Sequence, residues 1–425
     1  MRKMKDSGIE WIGEIPEDWE VKYPNNLFKE RKFKNKDNKE NNVLSLSYGK
    51  IIRRNISNNM GLIPANFETY NIVEPGNIVL RLTDMQNDHH SLRTGLVNER
   101  GIITSAYLTL EHKQKINPVY FHYLLHSYDL MKIFYNMGNG VRQNINYTEF
   151  STLPLLSPDI KEQTRIANFL DEKCALIDRL VERHQEVIEK LKAYRQSVIS
   201  EAVTRGLDPD APMKDSGIPW IGKIPENWKI DKIKYISKFN PGCSRHFDRH
   251  ESVGYLPMEC LKHGYMTPLK TEYEKITSAL TCFEDGDIVL AKVTPCFENG
   301  NIAIAHNLEN HTGFGSSELF VFRCSGYETR FLFYIFQNSN FMNECISTMT
   351  GTGGLKRVSS DFIRNCRIPV PDLQSQQQIA DYLDEKCAKI DRIIQEKEQI
   401  IVKLTEYKKS IIYEYVTGKK EVPAS

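Results

Sequence analysis

The segment Ile166–Ala175 reads Ile-Ala-Asn-Phe-Leu-Asp-Glu-Lys-Cys-Ala, and 213 residues later Ile379–Ala388 reads Ile-Ala-Asp-Tyr-Leu-Asp-Glu-Lys-Cys-Ala. The similarity continues from Ile166 to Gly206, where 20 of the 41 aligned positions are identical. A repeat of this length indicates that the chain contains two copies of one structural unit. We therefore expect a duplicated fold.

A second repeated segment supports the duplication. Met4–Trp19 returns as Met213–Trp228, 209 residues later, and all four tryptophans of the 425-residue chain lie in these two segments. Between the repeated segments the resemblance is weak, as in 73–80 against 283–290. The chain therefore alternates constant and variable parts, and its length suits two or three domains.

Each long constant block predicts one helix. The Ser-Pro-Asp sequence at 157–159 and the Val-Pro-Asp sequence at 370–372 are typical of helix starts, with Ser157 as a candidate N-cap. Gly206 and Gly418 are typical of helix ends. Apolar residues recur at two heptad positions, which is a pattern of helix-to-helix packing. The predicted seam consists of Leu170, Cys174, Ile177, Val181, Ile188, Leu191 and Val198 in the first helix and Leu383, Cys387, Ile390, Ile394, Ile401, Leu404 and Ile411 in the second.

Polar residues interrupt this seam at equivalent places in the two copies. The interruptions are His184 and Arg195 in the first helix and Lys397 and Lys408 in the second. At ~1.5 Å per residue, about 45 helical residues extend on the order of 65 Å, more than the globular unit beside them. We predict that the two helices pair antiparallel as a spacer. The alternative is that each helix covers one edge of its own domain.

The repeat divides the chain into an α+β fold, with two pseudo-repeated α/β domains separated by two long helices that form an antiparallel coiled coil. Strands are predicted at 77–80, 101–104, 286–290 and 318–322. Aromatic helices at 119–125 and 331–336 are expected to supply core rather than a platform for base stacking. The predicted divisions are an N-terminal conserved segment (1–20), a first variable domain (21–159), a central helix (160–206), a repeated connecting segment (207–229), a second variable domain (230–372), a C-terminal helix (373–418) and a tail (419–425).

Local charge is more informative than total charge. The 56 Lys and Arg against 55 Asp and Glu give a net charge of +1. However, Lys22 to Met60 carries ten basic and three acidic residues, and Trp228 to His250 carries six and two. A basic segment at the start of both variable domains is typical of contact with nucleic-acid phosphates. The alternative is two solvated charged faces.

Side chains that suit phosphates or base edges cluster in predicted loops. The glycine-containing loops at 138–144 and 351–357 align at the offset of 213, and glycines there would let the backbone approach a phosphate. The candidate nucleic-acid-binding residues of the first domain are Lys50, Arg53, Arg54, Arg81, Gln86, Asn87, His89, His90, Arg93, Arg142, Gln143 and Asn144. Those of the second domain are Arg245, His246, Arg249, His250, Lys292, Lys356 and Arg357.

The cysteines and the hydropathy pattern exclude other classes. Nine cysteines without a Cys-x-x-Cys pair predict reduced, mostly buried thiols, with neither a disulfide framework nor a metal site. No stretch approaches the ~18 to 20 apolar residues of a membrane helix, and the polar N-terminus does not resemble a signal peptide. We therefore expect a cytoplasmic protein.

Sequence signatures of catalysis are missing. The chain lacks both the Asn/Asp-Pro-Pro-Tyr/Phe element of adenine methyltransferases and a phosphate-binding Gly-x-x-x-x-Gly-Lys-Ser/Thr loop. The best nuclease candidate is Asp285 and Asp287 with Lys292, but the other copy lacks these acids and the lysine. We expect this segment to be a turn that begins a strand.

These motifs resemble the specificity subunit of Type I restriction-modification systems. The resemblance is carried by the Gly-x-Ile-Pro-x-x-Trp element at 13–19 and 222–228, by the helix starts at Glu162-Gln163 and Gln377-Gln378, and by the order of constant and variable blocks over nearly the whole chain. It implies two target recognition domains, each reading one half of a split double-stranded DNA target.

The resemblance also implies partners. The helices would space the half-sites and dock two methyltransferase subunits, and motor/nuclease subunits would join them. S-adenosylmethionine, ATP and Mg²⁺ are expected on those partners, with no cofactor, metal or catalytic residue in this chain. Because the two variable domains differ in sequence, the target should be asymmetric. The alternatives are a coiled-coil scaffold whose variable domains bind proteins and a self-sufficient nuclease.

Overall fold

The computed structural model describes residues 2–54, 66–85, 88, 92–137, 144–276, 280–352 and 354–423. The chain divides into two compact units. Unit 1 consists of Met1–His184 with Gln399–Ser425, and unit 2 consists of Gln185–Glu398. Each long helix therefore contributes residues to both units. Among the described residues, no helix is long and apolar enough to span a bilayer.

Unit 1 is built around short antiparallel strands. They are β1 (Met4–Asp6), β2 (Glu14–Pro16), β3 (Glu20–Lys22), β4 (Phe28–Glu30), β5 (Leu44–Ser47), β6 (Lys50–Arg53), β7 (Asn71–Val73), β8 (Ile78–Leu80), β9 (Thr94–Leu96), β10 (Gly101–Ile103), β11 (Leu108–His112) and β12 (Leu155–Ser157). The central sheet has the order β4-β11-β8-β9, and strand pairs β1–β2, β3–β12, β5–β6 and β7–β10 surround it.

Unit 2 repeats this plan. Its strands are β13 (Met213–Asp215), β14 (Lys223–Pro225), β15 (Lys229–Lys232), β16 (Ser237–Phe239), β17 (Ser252–Leu256), β18 (Leu269–Glu272), β19 (Thr281–Glu284), β20 (Ile288–Ala291), β21 (Ile302–Ile304), β22 (Thr312–Gly315), β23 (Leu319–Cys324) and β24 (Arg367–Val370). The sheet β16-β23-β20-β21 corresponds to the central sheet of unit 1, and a second sheet has the order β18-β17-β22-β19. All four predicted strands are confirmed as β8, β10, β20 and β23.

The helices differ greatly in length. They are α1 (Pro24–Leu27), α2 (Pro118–Leu130), α3 (Tyr147–Phe150), α4 (Ile160–Arg205), α5 (Ile233–Ile236), α6 (Thr329–Gln337), α7 (Ser339–Ser347), α8 (Ser360–Asn365) and α9 (Leu373–Val416), with short 3-10 turns elsewhere. The aromatic helices α2 and α6 are confirmed as core elements. Tyr120 and Phe121 of α2 and Phe331 and Leu332 of α6 are 2% exposed or less.

The long helices begin and end at repeated signals. Asp159 is the residue that caps α4, because its Oδ1 accepts the amides of Lys161 (2.8 Å) and Glu162 (3.0 Å). The prediction of Ser157 as N-cap was wrong, since Ser157 is the last residue of β12. Gly206 and Gly418 follow the helix ends with φ of +80° and +71°, a conformation that favours glycine.

Within each unit the two long helices pack side by side in opposite directions. In unit 1 the rings of Phe169 and Tyr415 lie 4.5 Å apart, and further along α4 Asp178 meets Lys408. In unit 2 Arg195 meets Asp391. Since α4 numbers rise as α9 numbers fall, the pairing is antiparallel, and every predicted seam residue is buried or half-buried. The α+β fold class with an antiparallel helix pair is confirmed.

The cysteine prediction needs a correction. Cys243 and Cys282 form a disulfide with a Cα–Cα distance of 5.7 Å, whereas the remaining cysteines are free. These two residues are 39 positions apart, and the loop after β16 is brought against β19 only by the fold. Spacing in the sequence therefore did not reveal the pair.

Candidate nucleic-acid interface

In unit 1, the basic hairpin β5–β6 projects exposed side chains. Tyr48 and Gly49 have φ of +46° and +76°, which suits a tight two-residue hairpin turn. Lys50 and Arg54 are exposed, and the described residues include no side-chain ion pair for either. Arg53 is also exposed, but its guanidinium pairs with Glu99 and holds the pKa of that carboxyl below its usual range. The hairpin thus offers cations of two kinds, unpaired and paired.

Tyr48 was not among the sequence candidates. It is 88% exposed at the hairpin tip, beside Lys50. An exposed aromatic ring next to a cation is a common way to contact nucleic-acid bases and phosphates. The signal that could have revealed it is the Tyr-Gly pair between the alternating run Leu-Ser-Leu-Ser and the β-branched run Lys-Ile-Ile-Arg, which predicts a hairpin tip.

Arg93 supports a loop from the inside. Its side chain is fully buried and donates to the carbonyls of Arg81 (3.1 Å) and Thr83 (3.0 Å), to the carbonyl of Asp88, and to Tyr135 Oη (3.0 Å). The prediction that this guanidinium contacts DNA was wrong, because its donors are used inside the domain to hold the loop. The N–H groups of a buried arginine need hydrogen-bond acceptors, and backbone carbonyls of a loop that point inward supply them.

Two further candidates of unit 1 lie in the described residues, Arg81 in the loop that Arg93 supports and Asn144 before α3. Arg81 is half-buried with Asp88 at 3.6 Å, and Asn144 Oδ1 accepts the Asp84 amide at 2.9 Å. The loop at 81–85 therefore lies against Asn144, three residues before α3 begins. The candidates Gln86, Asn87, His89, His90, Arg142 and Gln143 lie outside the described residues.

In unit 2, the loop after β16 carries exposed basic side chains. Arg245 stacks on Phe247, with its guanidinium carbon 4.5 Å from the ring centroid, and pairs with Glu251. His246 and Arg249 are exposed. This loop is the counterpart of the basic segment of unit 1, and exposed cations of this kind suit contact with phosphates.

His250 has acidic neighbours. Its Nδ1 lies 3.8 Å from Glu274 Oε1, and one ligand atom each from His250, Glu272 and Glu274 lie within 4.8 Å of one another. They gather at the end of the β17–β18 ribbon, where Ser252 pairs with Glu272. One nitrogen and two carboxylates form a donor set that divalent cations accept. Without a cation, the negative charges of Glu272 and Glu274 would repel a phosphate beside His250.

A third basic group gathers at the end of β20. Arg357 makes a bidentate pair with Glu318, with both distances 2.8 Å, and lowers the pKa of that carboxyl. Lys292 Nζ donates to the Ser317 carbonyl at 2.6 Å. Thr294 Oγ1 donates to the Gly354 carbonyl (2.8 Å) and accepts the Lys356 amide (2.9 Å). The structure therefore brings Lys292, Lys356 and Arg357 together at this end of the strand.

The acidic turn before β20 is structural. Asp287 is 1% exposed and accepts from Arg323 Nε and Nη2, both at 2.7 Å. Asp285 Oδ2 lies 2.7 Å from His311 Nδ1. Both carboxylates hold neighbouring segments, which agrees with the prediction of a turn that begins a strand.

Repeated polar contacts seat each aromatic helix on a long helix. Gln163 Nε2 donates to the Pro158 carbonyl (2.8 Å) while its Oε1 accepts the Asn117 amide (2.9 Å). Gln376 makes the same two contacts, with Pro371 (2.8 Å) and Glu328 (3.0 Å). These glutamines sit at the helix starts that carry the family resemblance.

Tyrosines add a second contact of the same kind. Tyr123 Oη donates to Asp171 (2.8 Å) in unit 1, and Tyr334 Oη donates to Asp384 (2.7 Å) in unit 2. Burial, the largest cause, raises the pKa of both phenols, so both remain protonated donors. The variable domains are thus positioned by residues that the repeat preserves.

Comparison with known sequences assigns both halves to one family. Residues 16–191 and 225–404 each match the family described as Type I restriction modification DNA specificity domain. The specificity subunit of the MjaVIII Type I restriction enzyme from Methanocaldococcus jannaschii is 24% identical over 420 residues, covering 96% of this chain and 94% of that protein. The EcoAI specificity subunit of Escherichia coli is 28% identical over 199 residues, which are 46% of this chain and only 33% of that subunit.

Solved structures share the fold. A chain from a study of complex assembly and conformational transition of the Type I system has a TM-score of 0.69 at 12% identity, covering 96% of this chain and 99% of its own length. The HsdS subunit of Thermoanaerobacter tengcongensis has a TM-score of 0.51 at 14% identity, with 96% and 98% covered. With two matched segments that make up most of its length, the chain belongs to the Type I restriction modification DNA specificity domain family.

Proposed function

We propose that this chain is the DNA specificity subunit of a Type I restriction-modification complex. Each domain reads one half of a bipartite, asymmetric target in double-stranded DNA. The long helices space the two halves and dock two methyltransferase subunits, and motor/nuclease subunits complete the restriction enzyme.

The observation that carries this proposal is a constant frame with variable loops. The central sheets have equivalent strand orders, and the glutamine and tyrosine contacts recur in both units. The loops mounted on the sheets differ in length, sequence and charge. Loops on a rigid scaffold are where recognition residues concentrate, so two different loop sets support two different half-sites.

The exposed cations support the choice of DNA as ligand. Lys50 and Arg54 in unit 1 and His246 and Arg249 in unit 2 are exposed beside the loops expected to read bases. Phosphate contacts from such residues position a protein on the duplex, while neighbouring polar side chains distinguish base pairs.

The chain itself is proposed to be non-catalytic and cytoplasmic. The acids of the nuclease candidate are engaged by Arg323 and His311. Methyl transfer and ATP-driven cleavage are assigned to the partner subunits, which would bind S-adenosylmethionine, ATP and Mg²⁺.

Co-expression with the cognate methyltransferase tests the proposal. We expect N6-methyladenine at one split motif in the host genome, detected by sequencing that reads modified bases. Deleting this chain while keeping the methyltransferase should abolish that methylation. Methylation that persists without the chain refutes the specificity role, and a protein-binding scaffold would then be favoured.

A further inference from the structure

Arg195 and Lys408 interrupt the apolar seam at equivalent positions of the repeat. In unit 1, Lys408 Nζ on α9 lies 2.6 Å from Asp178 Oδ1 on α4. In unit 2, Arg195 Nε on α4 lies 3.1 Å from Asp391 Oδ1 on α9. The cations are 213 residues apart, and so are the aspartates. The two ion pairs are therefore one contact formed twice, with the helices exchanging roles.

The burial of these cations makes the pairing consequential. The Arg195 side chain is 10% exposed and that of Lys408 is 27% exposed, whereas their aspartates are each 46% exposed. A charged residue in an apolar seam loses hydration, and that loss is uncompensated unless the residue meets a partner. One polar residue at such a position can select a single helix register at some cost in stability.

Each cation also faces the aromatic helix of its unit. Arg195 Nη2 donates to Gln337 Oε1 of α6 at 3.3 Å. Lys408 lines a cleft of about 460 Å³ with His126 of α2, Cys174 and Asp178. Burial and, to a smaller degree, the charge of Lys408 lower the pKa of His126 to about 4. In both units the ion pair thus stands where three helices meet.

We propose that Asp178–Lys408 and Asp391–Arg195 are register pairs that position the recognition domains. Each pair fixes which turn of α4 faces which turn of α9 in its unit, and each places α2 or α6 on that helix pair. The inference rests on the proposed function, because helix register affects DNA recognition only if the helices space two domains.

Charge reversal in the full chain, co-expressed with its methyltransferase, tests the register pairs. The unit 1 variants are Asp178→Lys, Lys408→Asp and their combination, and the unit 2 variants are Asp391→Arg, Arg195→Asp and their combination. The matched control is Glu385→Lys, which breaks an exposed pair with Lys389 on α9, where the side chains are 65% and 66% exposed.

We expect each single reversal to lower the Tm by about 2 to 8 °C. Methylation of the split motif should fall about tenfold or more, because small misplacements of reacting groups cost large factors in rate. Each combined reversal should recover most of both losses, since the pair is restored with opposite polarity. The Glu385→Lys control should leave the Tm unchanged.

Three outcomes overturn the proposal. One is a combined reversal that is no better than its single reversals, and another is a control that loses as much. The third is that the Tm values show the paired residues to be coupled while methylation is unchanged in every variant. The pairs would then contribute to stability alone. If the unaltered chain directs no methylation, the proposed function fails separately, and the Tm cycle still shows whether the paired residues are coupled.

Discussion

The central sheets β4-β11-β8-β9 and β16-β23-β20-β21 have equivalent strand orders, yet the helices packed on them present different chemistry. On α2 of unit 1, His122 and His126 face the long helices. Because Asn117 and Glu328 make equivalent contacts with Gln163 and Gln376, the corresponding residues of α6 are Phe333 and Gln337. The strand order of the central sheet is the same in both units, whereas the side chains of the helix packed on it differ.

The Trp elements also differ between the units. In unit 1, Trp19 Nε1 donates to Glu162 Oε2 (3.1 Å), and Arg2 Nη1 lies 2.6 Å from Glu162 Oε1. In unit 2, the position equivalent to Glu162 is Ser375, whose hydroxyl donates a hydrogen bond to Asp372, three residues earlier. Trp228 is instead held by apolar neighbours in the core of its unit. The second tryptophan of the repeated element is thus held by a hydrogen bond in unit 1 and by apolar packing in unit 2.

The largest expected effect comes from exchanging one set of loops. Replacing residues 230–372 with those of a relative should change one half of the methylated motif and preserve the other. Methylation of the original motif should drop on the order of 1,000-fold, since each mismatched base pair costs ~1 to 3 kcal/mol and several change together. Sequencing of modified bases measures the outcome, and a motif altered in both halves would contradict independent reading.

The helix-end glycines should respond unequally. A Cβ at Gly418 would lie 2.4 Å from Pro16 Cδ, whereas one at Gly206 would approach Trp228 Cζ2 only to 3.2 Å. Gly418→Ala should therefore cost about 2 to 4 kcal/mol of unfolding free energy through overpacking and backbone strain together, and Gly206→Ala about 1 to 2 kcal/mol. Urea unfolding followed by circular dichroism measures both.

Gly8→Ala is the control for backbone strain. Gly8 has a φ of +70° with no atom within 4 Å of a built Cβ. Gly8→Ala should lower the unfolding free energy only by the backbone strain of a left-handed alanine, about 1 to 2 kcal/mol. A Gly418 variant no worse than the Gly8 variant would show that Pro16 moves aside.

The buried histidines should make unit 1 sensitive to acid. Burial lowers the pKa of His122 to about 3 and that of His126 to about 4, from an ordinary value near 6.5. The unfolded chain therefore takes up protons first as the pH falls below about 6.5. This contribution to stability is full above that pH and is lost toward the folded-state values, by about 2 kcal/mol for each histidine at pH 5.

Unit 2 supplies the matched substitutions. His122→Phe with His126→Gln installs the residues found at the equivalent positions of α6 and should flatten the pH dependence of the α2 amides. Hydrogen exchange at pH 7 and pH 5, compared between α2 and α6, measures the effect. An α2 that loses protection equally in both proteins would exclude the histidines as its cause.

The duplicated frame was predictable because its signals are periodic and local. The offset of 213 residues and the heptad pattern were sufficient to locate α4 and α9, and the helix-start error at Ser157 was two residues. Arg195 and Lys408 were visible only as interruptions, because their partners depend on the antiparallel pairing of distant segments. Cys243 and Cys282 were missed for the same reason.

Individual interface residues were less predictable. Arg93 follows a segment rich in polar residues and Arg54 precedes one, but Arg93 lies inside the domain and Arg54 is exposed. Sequence composition reports that a loop is basic without reporting which guanidinium turns inward. Only the positions of carbonyl groups such as those of Arg81 and Thr83 distinguish a supporting arginine from a binding one.

The smallest effects should separate paired from unpaired cations in each unit. Among the described residues, Arg54 and Arg249 have no side-chain ion pair, whereas Arg53 and Arg357 are held by Glu99 and Glu318. Arg54→Ala and Arg249→Ala should each weaken DNA binding similarly for all sequences, because a phosphate contact carries no base information.

Each of these two variants should also reduce the slope of log affinity against log salt by about 1, which is the counterion release of one phosphate contact. Arg53→Ala and Arg357→Ala should change the slope less, because a carboxylate already neutralises the guanidinium. Fluorescence anisotropy with a labelled duplex over a salt series measures the four slopes. Equal slopes for all four variants would mean that DNA displaces Glu99 and Glu318, so that the ion pairs seen without DNA hold the arginines ready rather than removing them from the interface.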